Sequence, residues 1–134
     1  MKKPLLPAGW IKPRGYANGV AAVGTQVFIA GQIGWDAEAR FTSSDFAAQA
    51  IQALHNIVAV LNEAGGKPEH LVRLTWYVTD KREYLAALKD IGRAFRELIG
   101  DYDIAMSAVQ VVALIEDEAK VEIEATAVIP HEVS

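Results

Sequence analysis

Apolar residues recur along this chain with two different periods. Phe46, Ala50, Ile51, Leu54, Ile57, Val58 and Leu61 are spaced by one, three or four residues, which places them on one stripe of an amphipathic helix. Ser43-Ser44-Asp45 supplies side chains that can cap its start. Gly65-Gly66 supplies the left-handed backbone that ends it. A second stripe, Tyr84, Leu85, Leu88, Ile91, Phe95, Leu98 and Ile99, predicts one helix between Asp80 and Gly100. Asp80 caps it, and Glu83 three residues on completes a capping box.

Elsewhere the period falls to two, as in strands. Between Leu71 and Thr79, Val72, Leu74, Trp76 and Val78 share one face, and Arg73, Thr75, Tyr77 and Thr79 the other. Ala105 to Leu114 is apolar on both faces, the pattern of a strand buried on both sides. Glu116-Asp117-Glu118 is a turn, and Lys120 to Ile129 is the last strand. Val20–Val23 and Gln26–Ala30 flank Gly24-Thr25, which predicts a hairpin closing near Gly24. Gly31, at a strand end, marks a bend or a close backbone approach. Residues 1–15, punctuated by Pro4, Pro7, Gly9, Pro13 and Gly15, are expected to be an irregular lead-in. The predicted order is β-β-α-β-α-β-β, an α+β domain spanning residues 1–134. Two helices can cover one sheet face, and the apolar residues of the other face are most simply covered by another subunit.

Composition narrows the picture. The chain has 134 residues, 51% apolar and 22% charged, enough for one domain that buries roughly two-thirds of its unfolded surface. The absence of cysteine excludes disulfides, thiolate nucleophiles and cysteine-ligated metals. The net charge is −4, and Lys2, Lys3, Lys12 and Arg14 form no dense stripe, which argues against a nucleic-acid partner. No apolar run reaches membrane-spanning length. Pro4, Pro7 and Gly9 interrupt any signal-peptide core, so a cytoplasmic protein is expected.

Candidate chemistry is sparse. Glu122 and Glu124, two apart on a strand, share a face; in a closed site they could divide acid and base roles, and otherwise they are a solvated face paired with lysines. Tyr16 either donates a hydrogen bond or packs. Ser107 has no histidine in motif relation to it, which argues against a serine nucleophile. His55, His70 and His131 show no metal-ligand spacing. Trp10, Trp35 and Trp76 are expected to anchor the core or an interface.

With these segments placed, the chain resembles the Rid family, the reactive-intermediate deaminases also called YjgF-like or UK-type proteins. The resemblance rests on Tyr16-Ala17-Asn18-Gly19-Val20, Ala30-Gly31-Gln32-Ile33, Ala64-Gly65-Gly66, Val78-Thr79-Asp80 and Val121-Glu122-Ile123-Glu124-Ala125-Thr126-Ala127. It implies a chorismate-mutase-like mixed sheet with two helices on one face. It also implies a homotrimer assembled through the other face, with small-molecule clefts between subunits. Deaminating members hydrolyse reactive enamines and imines without metal or organic cofactor. By this resemblance, Glu122 positions the attacking water and Tyr16 and Gly31 line the cleft. The family's carboxylate-binding arginine, in a Pro-Ala-Arg-Ser-like segment, is replaced: Ile104-Ala105-Met106-Ser107 stands there. Leu88 stands where an asparagine is common.

Methionine carries no charge, so a carboxylate beside Met106 in a closed cleft would lose water without gaining a partner. The substrate is then less acidic and more apolar than the usual 2-imino acids, or another cation takes over, with Arg14 and Arg73 the candidates. The candidate site is where the segment around Met106 meets Glu122. Three functions compete: a cofactor-independent imine or enamine hydrolase, a non-catalytic metabolite-binding or protective protein using the same cleft, and an endoribonuclease, against which the charge argues.

Overall fold

The computed structural model describes residues 2–100 and 103–131. In chain order its strands are β1 (Lys2–Leu5), β2 (Gly19–Ala22), β3 (Thr25–Ile33), β4 (Leu71–Val78), β5 (Ala105–Gln110) and β6 (Val121–Ile129). Its helices are α1 (Phe46–Glu63), α2 (Lys81–Ala86) and α3 (Leu88–Leu98), with a 3-10 turn at Pro68–His70. The main sheet has the order β3-β6-β4-β5. In it β6 runs antiparallel to β3 and β4, and β5 runs parallel to β4. The strands β1 and β2 form a separate antiparallel ribbon.

The core lies between one face of this sheet and the helices. Leu74, Trp76 and Val78 of β4 and Val121, Ile123, Ala125 and Ala127 of β6 meet Ala50, Leu54, Ile57 and Leu61 of α1 and Ile91 of α3. The period-two pattern thus sends alternate residues of each strand into one apolar layer. Asp45 caps α1 by accepting from the Ala48 N–H at 3.0 Å. Gly65, at φ 79°, turns the chain so that the Gly66 N–H reaches the Leu61 carbonyl at 3.1 Å, closing the helix end.

Several finer expectations are corrected. The hairpin at Gly24 does not form, because β2 pairs with Lys2–Leu5 and β3 with β6. The lead-in therefore contributes a strand, and Pro4 is tolerated in it because β1 has a free edge. Gly24 is needed for another reason: the backbone of Ile129 and Pro130 passes where its side chain would stand. The strand expected from Ala105 to Leu114 ends at Gln110. It is the sheet edge, and Ser107–Gln110 are exposed, so the apolar residues that implied double burial lack cover within one chain. The single second helix breaks at Ala87, whose N–H is shared between the Glu83 and Tyr84 carbonyls, each at 3.1 Å. Asp80 caps α2 through the Arg82 N–H at 2.8 Å, but Glu83 reaches Lys120 Nζ at 3.4 Å instead of closing a capping box. A bulge between Leu71 and Arg73 buries Leu71 and leaves Val72 half-buried. Trp76 is a core residue, Trp35 packs on Phe41, and Trp10 is exposed.

Gln49 is a buried polar residue on the apolar stripe. Its amide nitrogen donates to the Ser43 and Glu118 carbonyls at 3.1 and 3.0 Å, and its oxygen accepts from the Lys120 N–H at 2.9 Å. It therefore fastens the approach to α1 and the approach to β6 together. Among the described residues no helix is long and apolar enough to cross a membrane.

Candidate functional site

Met106 pairs with Leu74 in the β4–β5 ladder, so it faces the helices, and it packs against the core. Beside it opens a cavity of about 580 Å³. Trp76 and Ile91 form its buried floor, and half-buried Tyr84 and Phe95 its walls. Arg14, Tyr16, Leu88 and Arg96 line it as more exposed residues, and Ser107 borders it from the sheet edge. The Ala17 N–H donates to the Ile104 carbonyl at 2.8 Å, and Ala17 bridges Ala105. That attachment holds the Arg14–Tyr16 segment beside β5. The structure thus brings together Arg14, Tyr16, Leu88, Met106 and Ser107 from the sequence-selected set.

The cavity's electrostatics are one-sided. Among the described residues no aspartate or glutamate lines it, and neither Arg14 nor Arg96 is in an ion pair. Burial pushes the Tyr84 phenol up from its ordinary pKa, so near neutral pH it remains a hydroxyl able to donate. Sequence reading missed Arg96. The signal was there, since Leu88, Gly92 and Arg96 follow at four-residue steps and share a helix face.

Glu122 and Gly31 lie elsewhere. Val121, Ile123 and Ala125 enter the core, so Glu122 and Glu124 point to the helix-free face, as their spacing implied. The β3–β6 register shifts between Ile29 and Gln32, which frees Ala30 and Gly31 from the regular ladder. At Gly31 a side chain would collide with the Glu122 carboxylate. A side chain there would have to push the Glu122 carboxylate aside, and with glycine the carboxylate rests against the backbone. Among the described residues Glu124 is in no ion pair with a lysine; it accepts from the Tyr77 hydroxyl at 2.6 Å. That hydrogen bond first, then desolvation and the nearby Glu124 and Glu122 charges, raises the Tyr77 pKa. Arg73 lines a shallow groove with Phe28, Glu124 and Thr126 on this same face. Of the two arginines considered as substitute cations, Arg14 lines the cavity and Arg73 does not.

Within one chain the segment around Met106 therefore does not meet Glu122. The strand β4 separates β5 from β6, and the two side chains point to opposite faces. Among the described residues no group of three or more histidines and carboxylates could hold a metal.

The α+β domain thus has an arginine-rimmed apolar cavity beneath one helix and a carboxylate set against a glycine on the reverse of the same sheet. Residues 11–129 match the family described as endoribonuclease L-PSP. A RutC family protein of Aquifex aeolicus is 33% identical over 129 residues, covering 96% of this chain and 97% of that protein. A 2-iminobutanoate/2-iminopropanoate deaminase of Salmonella typhimurium is 34% identical over 113 residues, covering 84% and 86%. The crystal structure of YyfB from Yersinia pestis, of the conserved Rid protein family, superposes with a TM-score of 0.83 at 31% identity, covering 96% of this chain and 98% of that one. The chain belongs to the Rid (YjgF-like) family.

Proposed function

We propose that this protein is a cofactor-independent imine or enamine hydrolase whose substrate differs from the usual 2-imino acids. The observation that carries the reading is the Glu122 carboxylate resting against Gly31, where a side chain would displace it. A carboxylate in that position can hold a water molecule and accept its proton as the oxygen attacks. The C=N carbon gains the water oxygen, a carbinolamine forms, and its collapse to C=O releases the nitrogen as ammonia. Tyr16, at the cavity mouth, donates a hydrogen bond to the reacting group. Deaminase-named relatives at 34% identity support the reaction class. The replacement of the family's arginine by Met106 directs the substrate away from small 2-imino acids.

The two halves of this machinery lie on opposite faces of one sheet, so the reading needs a second copy of the chain to bring Glu122 to its neighbour's cavity. Two features of the helix-free face fit such packing. Phe28 is 73% exposed there. Thr75, paired between Glu124 and Ser107, has a buried hydroxyl without a hydrogen-bond partner among the described residues, and unmet polar groups of that kind are costly. We accordingly place the protein in the family's homotrimer, acting on a soluble metabolite in the cytoplasm.

The test is turnover of an imine panel, from 2-aminoacrylate to bulky aromatic imines, by the wild type and Glu122→Gln. The expected result is consumption of a bulky imine that the variant loses. An equal rate in Glu122→Gln overturns the residue assignment. Ligand binding with no consumption anywhere in the panel replaces the hydrolase with a protective binder, a reading favoured by Met106 and Leu88. In the same panel, Met106→Arg is expected to gain 2-aminoacrylate hydrolysis.

A further inference from the structure

The cavity beside Met106 has a chemistry that the imine reaction does not use. Its depth is apolar: Trp76 and Ile91 beneath, Tyr84, Phe95 and Met106 around. Its cationic groups are on different elements, Arg14 in the segment tethered to β5 through Ala17, and Arg96 two turns along α3 from Leu88. Both guanidinium groups are on exposed residues, and among the described residues of the same chain neither is in an ion pair and no carboxylate lines the cavity. Two cations bordering an apolar chamber favour an anion there. A guanidinium presents a planar fork of donors to carboxylates. At the cavity's wall and mouth, the Tyr84 and Tyr16 phenols can add neutral hydroxyl donors.

We infer that this cavity binds monoanionic ligands with an aromatic or large aliphatic body, the body lying against Trp76, Phe95 and Met106 and the carboxylate held at the mouth by Arg14 and Arg96. The selectivity follows from where the groups lie. A small 2-oxo or 2-imino acid has nothing to fill the apolar chamber. A neutral aromatic fills it but leaves the arginines unpaired. A ligand with both parts matches the whole cavity, and its length sets the distance between the two ends. The family's single anchor at position 106 is thereby replaced by a pair farther out, and Met106 becomes part of the surface that selects the body.

This inference shares its cavity with the proposed hydrolase and specifies that enzyme's substrate class, but its test is equilibrium binding and needs no turnover. The probes are 3-phenylpropanoate, its neutral isostere 3-phenylpropanamide, and propanoate, followed by calorimetry and by the fluorescence of Trp76 in the cavity floor. The wild type is expected to bind 3-phenylpropanoate at least about tenfold more tightly than either of the others. Arg14→Ala and Arg96→Ala should each weaken that binding by about tenfold, the scale of a lost charge-assisted hydrogen bond, and leave 3-phenylpropanamide unchanged. Both arginines are exposed, so the variants should retain the wild-type fold, as circular dichroism checks. Equal affinity for acid and amide, equal affinity for 3-phenylpropanoate and propanoate, or full affinity in the Arg14→Ala/Arg96→Ala double variant each overturns the inference. The wild type separates the two readings: this binding pattern together with no consumption anywhere in the imine panel upholds the inference and overturns only the hydrolase, whereas turnover of a bulky imine without the acid-over-amide preference overturns the inference alone.

Discussion

The two faces of the central sheet are built from the same strands yet hold different chemistry. On the helix-covered face, alternate residues of β4 and β6 disappear into the core, and the cover thins only beside β5, where the arginine-rimmed cavity opens. On the reverse face Glu122, Glu124, Tyr77 and Arg73 stand among strands that no helix covers among the described residues, and Tyr77 donates to Glu124 at 2.6 Å. In the proposed function the first face holds the body and charge of a ligand, and the second supplies the base. The contrast teaches that strand parity can divide a reaction's requirements between two sides of a sheet, which in this proposal a second copy of the chain reunites.

The strongest way to break this comparison is at Gly31. A methyl group there must displace the Glu122 carboxylate, so Gly31→Ala should lower imine turnover by about 100-fold, the scale of a misplaced general base. Binding of 3-phenylpropanoate to the opposite face should be unchanged. Rate assays beside calorimetry on one preparation check this; turnover and binding falling together would mean that the faces are not independent.

Next in size is the support of the covered face. Gln49→Leu leaves the Lys120 N–H and the Ser43 and Glu118 carbonyls without their partner. It should destabilise the fold by roughly 2–4 kcal/mol, read as a lowered urea midpoint at unchanged slope. A loss below about 0.5 kcal/mol would show that water replaces the amide without penalty.

The smallest effect belongs to the reverse face and to pH. The Tyr77 pKa is raised, chiefly by its hydrogen bond to Glu124. The folded state therefore holds this proton more tightly than the unfolded chain. The resulting stability is fully present below the unfolded tyrosine value near 10 and is lost as pH rises through the higher folded value. Glu124→Gln should lower the Tyr77 titration seen in phenolate absorbance, with Tyr77→Phe identifying the signal. An unmoved titration would dissociate the pair.

Much of this was legible in the sequence. The stripe from Phe46 to Leu61 became α1, and the alternation around Glu122 gave the correct facing of both glutamates, because a strand's period of two leaves no other choice. The Rid resemblance was readable from short segments such as Ala30-Gly31-Gln32-Ile33. What escaped depended on partners distant in the chain. Pairing of β2 with Lys2–Leu5 left no periodic trace across four residues interrupted by Pro4. The extent of β5 was overread, since apolar residues on both faces imply cover without saying whether it comes from the same chain. Gln49 was hidden because a polar residue on an apolar stripe looks like a fault until its three partners are seen. Arg96 had the right helical spacing, but only the tethering of Ala17 to Ile104 shows that Arg14 shares its cavity.

The most direct test of the central claim is subunit complementation. Glu122→Gln removes the base, and Leu88→Trp fills the cavity from its exposed rim, so each variant alone should be inactive on an imine that the wild type consumes. Exchanging subunits between the two should restore activity, because some interfaces then join an intact cavity from one chain to an intact Glu122 from another. If labelled subunits demonstrably exchange and activity stays at the level of the single variants, the division of the site between two chains is contradicted.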